Sequence, residues 1–540
     1  LNSMDICNIL GCRGDSHTSV VGLNLTTKQR KGPMVGKSKV NLRERLKSAP
    51  SDIFVETYFS NKVAKDLEYN FDAEMQIHMA HGLMLVKQGI VPGRDIKKIL
   101  KLILKIQTEG YKVLSIDYKL EGLYSYTERY IVSKLGPEVG GKLHTGRSRN
   151  DMHTTAWRMA LRTELLEVLS RLVELRRTVL RLSQRHIGTV MPGYTHSQHA
   201  QPITLGYYLL TLADLLQRDF ARIFASLQNT DQCPLGAGAL TTTAFPLDRK
   251  LVAKALGFPQ PMEIAYDAVS NRDDAMESTA ALAIVMTNIS RLAFDLQAWN
   301  TFEYRFIETG DEHSAVSSIM PQKKNPAALE HIKAVAGIVN GAFTSASACV
   351  KNTSLSDVAD GVTAINEPAL DACKYAGSVL LLINEVLSAI VVNKDVMKKQ
   401  AEIGFGTATE LSDVIVRETG LSFRMAHNVV GTVVRNTVDK GGIATDIKSS
   451  DLDSAALELF GKRLNLSQKL VNEALDPEKN IEQRGLMGGP SSKRMREMIV
   501  IRNHTLREDK KKVGAISRRV ERARERLIND TKTFCKIRGA

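Results

Sequence analysis

The chain has 540 residues, of which 43% are apolar and only 6% aromatic, values typical of a large globular protein with an aliphatic, helix-rich core. Its net charge of +14 is concentrated at the ends: residues 17–47 hold eight Lys or Arg against Glu44 alone, and residues 491–540 hold sixteen against six acids. Because the remainder is nearly neutral, nucleic acid is an unlikely partner for the body of the protein.

Six scattered cysteines without CxxC spacing fit neither a zinc site nor a disulfide framework, so we expect a reducing, cytoplasmic location. No apolar run reaches the roughly 18–20 residues that a membrane span needs, and we expect no membrane association.

The first 50 residues are rich in Ser, Thr, Gly and basic residues and lack apolar periodicity, which predicts a disordered basic leader. Sparse acids leave a transit peptide as an alternative, although the amphipathic arginine pattern is poor. We predict an N-terminal helical domain over 51–148.

Helical patterns dominate the middle of the chain, where we predict a central long-helix bundle over 149–400. Residues 151–186 contain no Gly or Pro and carry a heptad seam of aliphatic side chains: Leu161, Leu165, Val168, Leu172, Leu175, Val179 and Leu182. Residues 272–309 also lack Gly and Pro, and 280–298 predict a helix buried on most sides. Further helices are predicted over 203–229, 326–350 and 363–394.

The last part, 401–540, predicts a smaller helical domain with a basic tail, punctuated by glycines such as Gly441 and Gly442. Residues 516–531 form a charged amphipathic helix, for which a solvated face is favoured over a nucleic-acid-binding arm. Several very long helices cannot bury their apolar seams within one small globule, so we expect the bundle to continue into partner subunits.

Residues 317–326, SSIMPQKKNP, bring two hydroxyls, two lysines and an asparagine to a predicted helix start. Asn325 suits the N-cap position and Pro326 the first helical position, so the segment predicts a cationic loop that feeds the positive end of a helix. Such a loop is suited to holding anions.

This decapeptide resembles the signature of the fumarase/aspartase superfamily, with Val316 where the superfamily has glycine. Three more segments are similar to the argininosuccinate lyase family within it: GKLHTGRSRND (141–151), MPGYTHSQHAQP (191–202) and PLGAGAL (234–240). The resemblance implies an all-α, three-domain fold and a homotetramer with a 20-helix core and active sites shared between subunits. It implies a carbon–nitrogen lyase that releases fumarate from an N-substituted aspartate without a metal or organic cofactor.

Eliminating an amine from such a substrate requires removal of a poorly acidic proton beside a carboxylate and protonation of the departing nitrogen. The resemblance assigns Ser317 as catalytic base, with Lys323 stabilising its alkoxide, and pairs His196 with Glu330 for the nitrogen's proton. From the sequence alone, the acid and base roles of Ser317 and His196 stay interchangeable. Side chains matching the substrate-binding set are Ser148, Arg149, Asn150, Thr195, Gln198 and Asn325.

Two departures from the family lie near the expected amine site. A segment that supplies Tyr, Gln and Lys in the family places Asp357, Val362 and Ile365 here, and Gly122 and Tyr124 replace an acid and a histidine. The resemblance implies that argininosuccinate, cleaved to arginine and fumarate, or a related amine is the substrate. Because lost hydrogen-bonding groups change ligand selection, the alternative is a different N-succinyl amine, such as a diamine disuccinate.

Two alternatives to an enzymatic function are considered. One is a non-catalytic, crystallin-like use of the same scaffold, against which the retained Ser317, His196 and Glu330 argue. The other takes the basic ends as a module for nucleic acid or an acidic partner, but no aromatic–basic interleaving supports it.

Overall fold

The computed structural model describes residues 45–358 and 364–536. Most of the predicted leader, and Val362, therefore lie outside the described residues. The protein is built from helices joined by three pairs of short antiparallel strands. The strands are β1 Val190–Thr195 with β2 Gln198–Thr204, β3 Ile307–Glu308 with β6 Val391–Val392, and β4 Ala315–Val316 with β5 Lys324–Asn325.

The N-terminal region begins with a continuous helical segment that alternates between α and π turns over residues 52–70. Helices of ten residues or more follow as α1 Phe71–Lys87, α2 Gly93–Glu109 and α3 Leu123–Leu135. Short turns at Pro137–Gly140 and Gly141–His144 then lead to the long helix. Aliphatic side chains of α1 and α2 form a core of their own, including Met75, Ile77, Ile96, Ile99 and Ile103.

Five long helices form the central bundle: α4 Arg149–Arg185, α5 Leu205–Thr230, α6 Asp273–Trp299, α7 Ala327–Val350 and α8 Asn366–Ala389. The main hydrophobic core lies between them. All seven predicted heptad positions of α4 are buried, which confirms the long helix and its seam. Two short helices, Arg249–Ala255 and Ala265–Ser270, lie in the connection between α5 and α6.

Helix α6 includes the whole of the predicted 280–298 helix and ends at Trp299, although the stretch without Gly or Pro continues to residue 309. The chain folds back there because the Phe306 amide donates to the Trp299 carbonyl at 2.9 Å, and Ile307 then enters β3. Helices α6 and α8 are each long and apolar enough to cross a membrane, but half of each apolar window is buried inside the protein, as in the core helices of a globular protein.

The C-terminal part contains α9 Lys394–Ile403, α10 Ala408–Thr419, α11 Phe423–Asp439 and α12 Ser449–Phe460, then Gln468–Leu475 and Pro477–Gln483. Side chains between Leu411 and Leu475 form a separate small core. The last helix, α13 Ser492–Phe534, leaves this core and returns along the bundle. Its Met495, Ile499 and Leu506 join the main core, and Leu527 joins the N-terminal core.

A buried carboxylate fastens α13 to the bundle. Asp231, at the end of α5, accepts a hydrogen bond from Arg162 of α4 at 3.0 Å and forms a second ion pair with Arg519 of α13. Arg519 also donates to the Gly257 carbonyl at 3.0 Å. At Gly257 a side-chain Cβ would lie 3.1 Å from the Val520 Cα, so glycine permits this close approach.

We predict that Asp231→Asn lowers the free energy of unfolding by about 3–5 kcal/mol, because it leaves a buried arginine without its charged partner. Urea unfolding followed by circular dichroism measures the change. Asp530→Asn is the matched control, since Asp530 pairs with Arg526 at 3.6 Å on the solvent-exposed surface. Equal unfolding midpoints for the two variants would contradict the assignment.

Candidate active site

The predicted histidine lies at the tip of the β1–β2 hairpin. His196 and Ser197 form its two-residue turn, and both have positive φ angles, +51° and +59°, as a type I′ turn requires. Thr195 and Gln198 face each other directly before and after the turn. All four side chains are exposed. Within the described residues, the His196 ring makes no hydrogen bond, so the hairpin presents it outward.

The predicted catalytic loop, residues 317–323, is closed by the pairing of β4 with β5. The Ser317 hydroxyl accepts hydrogen bonds from the backbone amides of Ile319 at 3.3 Å and Met320 at 3.0 Å. Val316 lies in extended β4 and carries no positive φ, so valine in place of the superfamily's glycine causes no backbone strain. The serine oxygen is therefore held where two amides can stabilise negative charge.

The two lysines of the loop differ in their surroundings. Lys324 pairs with Glu308 at 2.9 Å and Asp311 at 2.7 Å, and these carboxylates raise the lysine pKa. Lys323 is exposed and has no ion pair among the described residues. Lys323 is thus the loop cation that remains available for an anionic substrate.

The start of α7 differs from the prediction by one residue. Pro326, rather than Asn325, occupies the N-cap position, because the Asn325 backbone is used in β5 to pair with Ala315. Glu330 lies in the first turn of α7, exposed, with its carboxylate 3.5 Å from the Gln297 amide nitrogen. Glu330 does not contact His196 within one chain.

The segment 147–151 forms the N-terminus of α4. Ser148 caps the helix in a capping box with Asp151, and Arg149 forms an ion pair with Glu121. The Asn150 side chain donates to the Ala239 carbonyl at 3.4 Å. Arg149 and Asn150 therefore stand at the positive end of the longest bundle helix, where a carboxylate is favoured.

Asp151 fixes this segment against the neighbouring loop. Its buried carboxylate accepts the backbone amides of Ser148 at 3.0 Å and of Gly236 and Gly238 at 2.9 Å. Burial raises the pKa of Asp151 to about 6, and the three amide donors counteract this rise. The PLGAGAL segment found in the sequence thus supplies amides that orient the predicted substrate residues.

Sequence reasoning missed an ion pair beside this segment. Lys62 lies 3.0 Å from Asp66, and both line a cavity of about 310 Å³ together with His153 of α4 and Glu367 of α8. Burial alone would raise the pKa of Asp66, but Lys62 and His153 bring it below its ordinary value. The cavity therefore carries both signs of charge.

The backbone angle at position 122 accounts for one departure from the family, because Gly122 has a φ of +156°, which L residues rarely adopt. A Cβ there would also lie 2.8 Å from the Lys62 Nζ atom and 3.2 Å from the Asp66 carboxylate, so these side chains would have to move. The other replaced side chain, Tyr124, donates to Glu128 at 2.6 Å. The sequence shows the glycine at position 122, but Lys62, which Gly122 approaches, lies sixty positions earlier. The contact therefore could not be read from the sequence around Gly122.

Of the two replaced amine-site positions that the structure describes, Asp357 comes near the predicted substrate residues. Its carboxylate lies 3.4 Å from Arg272, and its pKa is raised by burial while Arg272, Arg149 and Lys62 lower it. Ile365 is fully buried in the main core. Among the described residues, Asp357 is therefore the changed position that could alter contacts with the substrate.

Under the α4 N-terminus lies a buried polar cluster. Glu74 stands 3.4 Å from His78, and Arg147 has two guanidinium nitrogens without a hydrogen-bond partner in the described part of the chain. Burial raises the pKa of Glu74 to about 8 and lowers that of Arg147 to about 10. The cluster lies beneath the start of α4, which carries the predicted substrate-binding residues.

The predicted site residues fall into three groups. The first lies at the α4 start with Ser148, Arg149 and Asn150; the second is the loop and α7 start; the third is the hairpin tip with His196. Among the residues that the structure describes, no hydrogen bond or ion pair joins one group to another. One chain therefore supplies the parts without assembling them.

Most of this chain is similar in sequence to known protein families and to individual proteins. Residues 59–341 match a lyase family, and residues 405–482 match the argininosuccinate lyase C-terminal family. Argininosuccinate lyase 1 of Shouchella clausii is 36% identical over 479 residues, covering 89% of this chain and 96% of that protein. The argininosuccinate lyase of Methanothermobacter thermautotrophicus is 36% identical over 467 residues, covering 85% and 97%.

Solved structures agree with these matches. EDDS lyase in complex with formate superposes with a TM-score of 0.80 at 29% identity, covering 91% of this chain and 97% of that one. A class II fumarase from Schistosoma mansoni gives a TM-score of 0.63 at 16% identity, covering 76% and 90%, and shows the fold alone. The predicted all-α fumarase/aspartase fold is confirmed.

Proposed function

Because this chain belongs to the argininosuccinate lyase family, we propose that it is a carbon–nitrogen lyase that eliminates fumarate from an N-succinyl amine. A base removes a proton from the carbon beside one carboxylate, and the electrons of that C–H bond form an aci-carboxylate. They then form the double bond of fumarate while the C–N bond breaks, and an acid protonates the departing nitrogen. The non-catalytic, crystallin-like alternative is not favoured.

The observation that carries the proposal is the position of Ser317. A serine in water is a feeble base, but two backbone amides already donate to its oxygen, and an alkoxide at that point would keep both donors. Lys323 adds a positive charge from the same loop. In this proposal Ser317 is the base, while Arg149, Asn150, Thr195 and Asn325 hold the succinyl half, with Ser148 and Gln198 beside them.

We propose that the nitrogen's proton is handled by His196 paired with Glu330, and that these side chains meet across subunits of a homotetramer. Support comes from the exposed apolar faces of α6, α7 and α8, since a single chain leaves large side chains uncovered there: Ile284, Phe294, Ile338, Phe343, Tyr375 and Leu381. Contiguous apolar surface on long helices favours association.

The four described cysteines are free, which agrees with a cytoplasmic location.

The amine end is proposed to be bound in the cavity with Lys62 and Asp66. Argininosuccinate is the first candidate, because the relatives carry that name and because its amino-acid end bears an ammonium and a carboxylate. The cavity is lined by Lys62 and Lys65, by the buried Asp66 and by the exposed Glu367, so it offers both signs of charge. The choice of argininosuccinate sets aside our alternative of a different amine, which rested on the positions where this chain departs from the family.

We predict that Ser317→Ala lowers kcat for fumarate release by about 10²-fold or more, since the loss of a positioned base removes that much rate. The rise of fumarate absorbance in the ultraviolet gives the rate. Ser318→Ala, at the adjacent exposed hydroxyl, should stay within about twofold of the parent. Unchanged activity of Ser317→Ala in an intact oligomer would remove Ser317 from the mechanism.

We predict that argininosuccinate is turned over with a kcat/KM at least about tenfold above that of a diamine disuccinate, a difference of about 1.4 kcal/mol in transition-state binding. The distal end of a diamine disuccinate carries a second succinyl group with two carboxylates, and this extra negative charge is unfavourable beside Asp66 and Glu367, which line the cavity. Fumarate release from parallel reactions measures both. A higher kcat/KM for the diamine disuccinate would support the alternative amine considered from the sequence. If the protein turns over neither substrate, the assignment of the amine is wrong.

Shared sites predict complementation between inactive variants. If Ser317 and His196 come from different subunits at one site, mixed oligomers of Ser317→Ala and His196→Asn contain some sites with both residues intact. Co-refolding the two inactive proteins should restore a measurable fraction of parent activity, while each refolded alone stays inactive. No recovery in verified mixed oligomers would place both residues on one chain.

A further inference from the structure

A deep groove lies between the last helix and the N-terminal region, apart from the predicted site residues. It has a volume of about 1130 Å³ and is bounded by α13, the short helix Arg249–Ala255 and α1. The apolar faces proposed for subunit contact lie on α6, α7 and α8, none of which lines this groove. The groove therefore lies outside the faces proposed for subunit contact.

The lining of the groove is strongly cationic, with seven Lys or Arg against two acids. Both acids are already engaged: Asp248 caps the short helix, and Asp530 pairs with Arg526. Five exposed cations have no ion pair within the described residues, and they come from three separate elements: Lys87, Lys250, Lys254, Arg518 and Arg522. Gathering like charges in a concave surface is unfavourable without a counter-charge, so the arrangement calls for an anion.

The cations stand on a fixed platform. Arg519 is held by Asp231 and the Gly257 carbonyl, and Gly257 allows the short helix to approach α13 closely. The floor between the charged walls is aliphatic, with Leu83, Leu251 and Leu527. Because the backbone that carries the cations is held in place, only their side chains lose freedom when an anion binds.

Two pairs of cations line the groove from different helices. Lys250 and Lys254 are four residues apart on the short helix, and Arg518 and Arg522 are four apart on α13, so each pair projects from the same side of its helix. Several cations along one groove can contact successive negative groups of a linear ligand. Arginine forks bind phosphate oxygens in pairs.

We propose that this groove is a binding site for a ligand with a chain of linked phosphate groups, either free polyphosphate or the polyphosphate part of an organic molecule. A nucleic-acid strand fits less well, because no aromatic side chain lines the groove to stack on bases. The site is independent of the lyase reaction.

Isothermal titration calorimetry of the full-length oligomer tests the proposal, with tripolyphosphate, ATP without Mg²⁺, and a single-stranded 20-nucleotide DNA as probes. The test variant is Lys254→Gln/Arg518→Gln/Arg522→Gln. The control is Lys440→Gln/Lys462→Gln/Arg463→Gln, which removes the same charge from exposed positions of the C-terminal part. Size-exclusion chromatography and lyase activity confirm that both variants are assembled.

We expect saturable tripolyphosphate binding that weakens at least about tenfold in the groove variant and stays within about twofold in the control. Equal affinity for ATP and tripolyphosphate identifies free polyphosphate as the source, whereas tighter ATP binding shows that the organic part uses the aliphatic floor. Equal losses in both variants, absence of binding to the parent, or groove-dependent DNA binding tighter than that of tripolyphosphate would each overturn the proposal.

Discussion

The bundle imposes the main constraint on this protein: helices of 24 to 37 residues expose more apolar surface than one chain can cover. Side chains such as Phe294 and Ile338 remain exposed on a structure whose interior is otherwise filled by aliphatic residues. Because burial of such surface is the dominant favourable term in association, the same helices that form the core also favour a partner. The proposed sharing of active sites follows from this constraint, since His196 and Ser317 lie at separate outward-facing tips.

The chemistry depends on local features that the fold fixes independently. Asp151 ties the start of α4 to the 234–239 loop, and this contact orients Arg149 and Asn150 before any substrate arrives. The β4–β5 pair closes the loop that is proposed to be catalytic, and two backbone amides donate to the Ser317 hydroxyl there. Preorganised donors of this kind cost no rearrangement during the reaction, which is why they can stabilise a dianionic intermediate. The basic groove beside α13 is a separate consequence of the same long helices.

Much of this was predictable from the sequence. The heptad of α4 and the absence of Gly and Pro fixed the helix to within a few residues, because periodic burial is a local signal. The motifs predicted the site residues, but not how they are distributed in space. The Lys62–Asp66 pair is an i,i+4 contact within one helical segment, but its approach to Gly122 brings together residues about sixty positions apart, which no local pattern reports. For the same reason the return of α13 to the bundle, with Leu527 in the N-terminal core, was not expected for a basic tail.

In the proposed enzyme, side chains that one chain presents separately converge on one substrate in the oligomer. A crystal structure of the oligomer with bound fumarate measures this directly. We expect Ser317 of one protomer and His196 of another to lie within about 3–4 Å of the same fumarate molecule, with Arg149 or Lys323 at its carboxylates. Fumarate bound without either side chain, or Ser317 and His196 in pockets that do not meet across any subunit boundary, would contradict it.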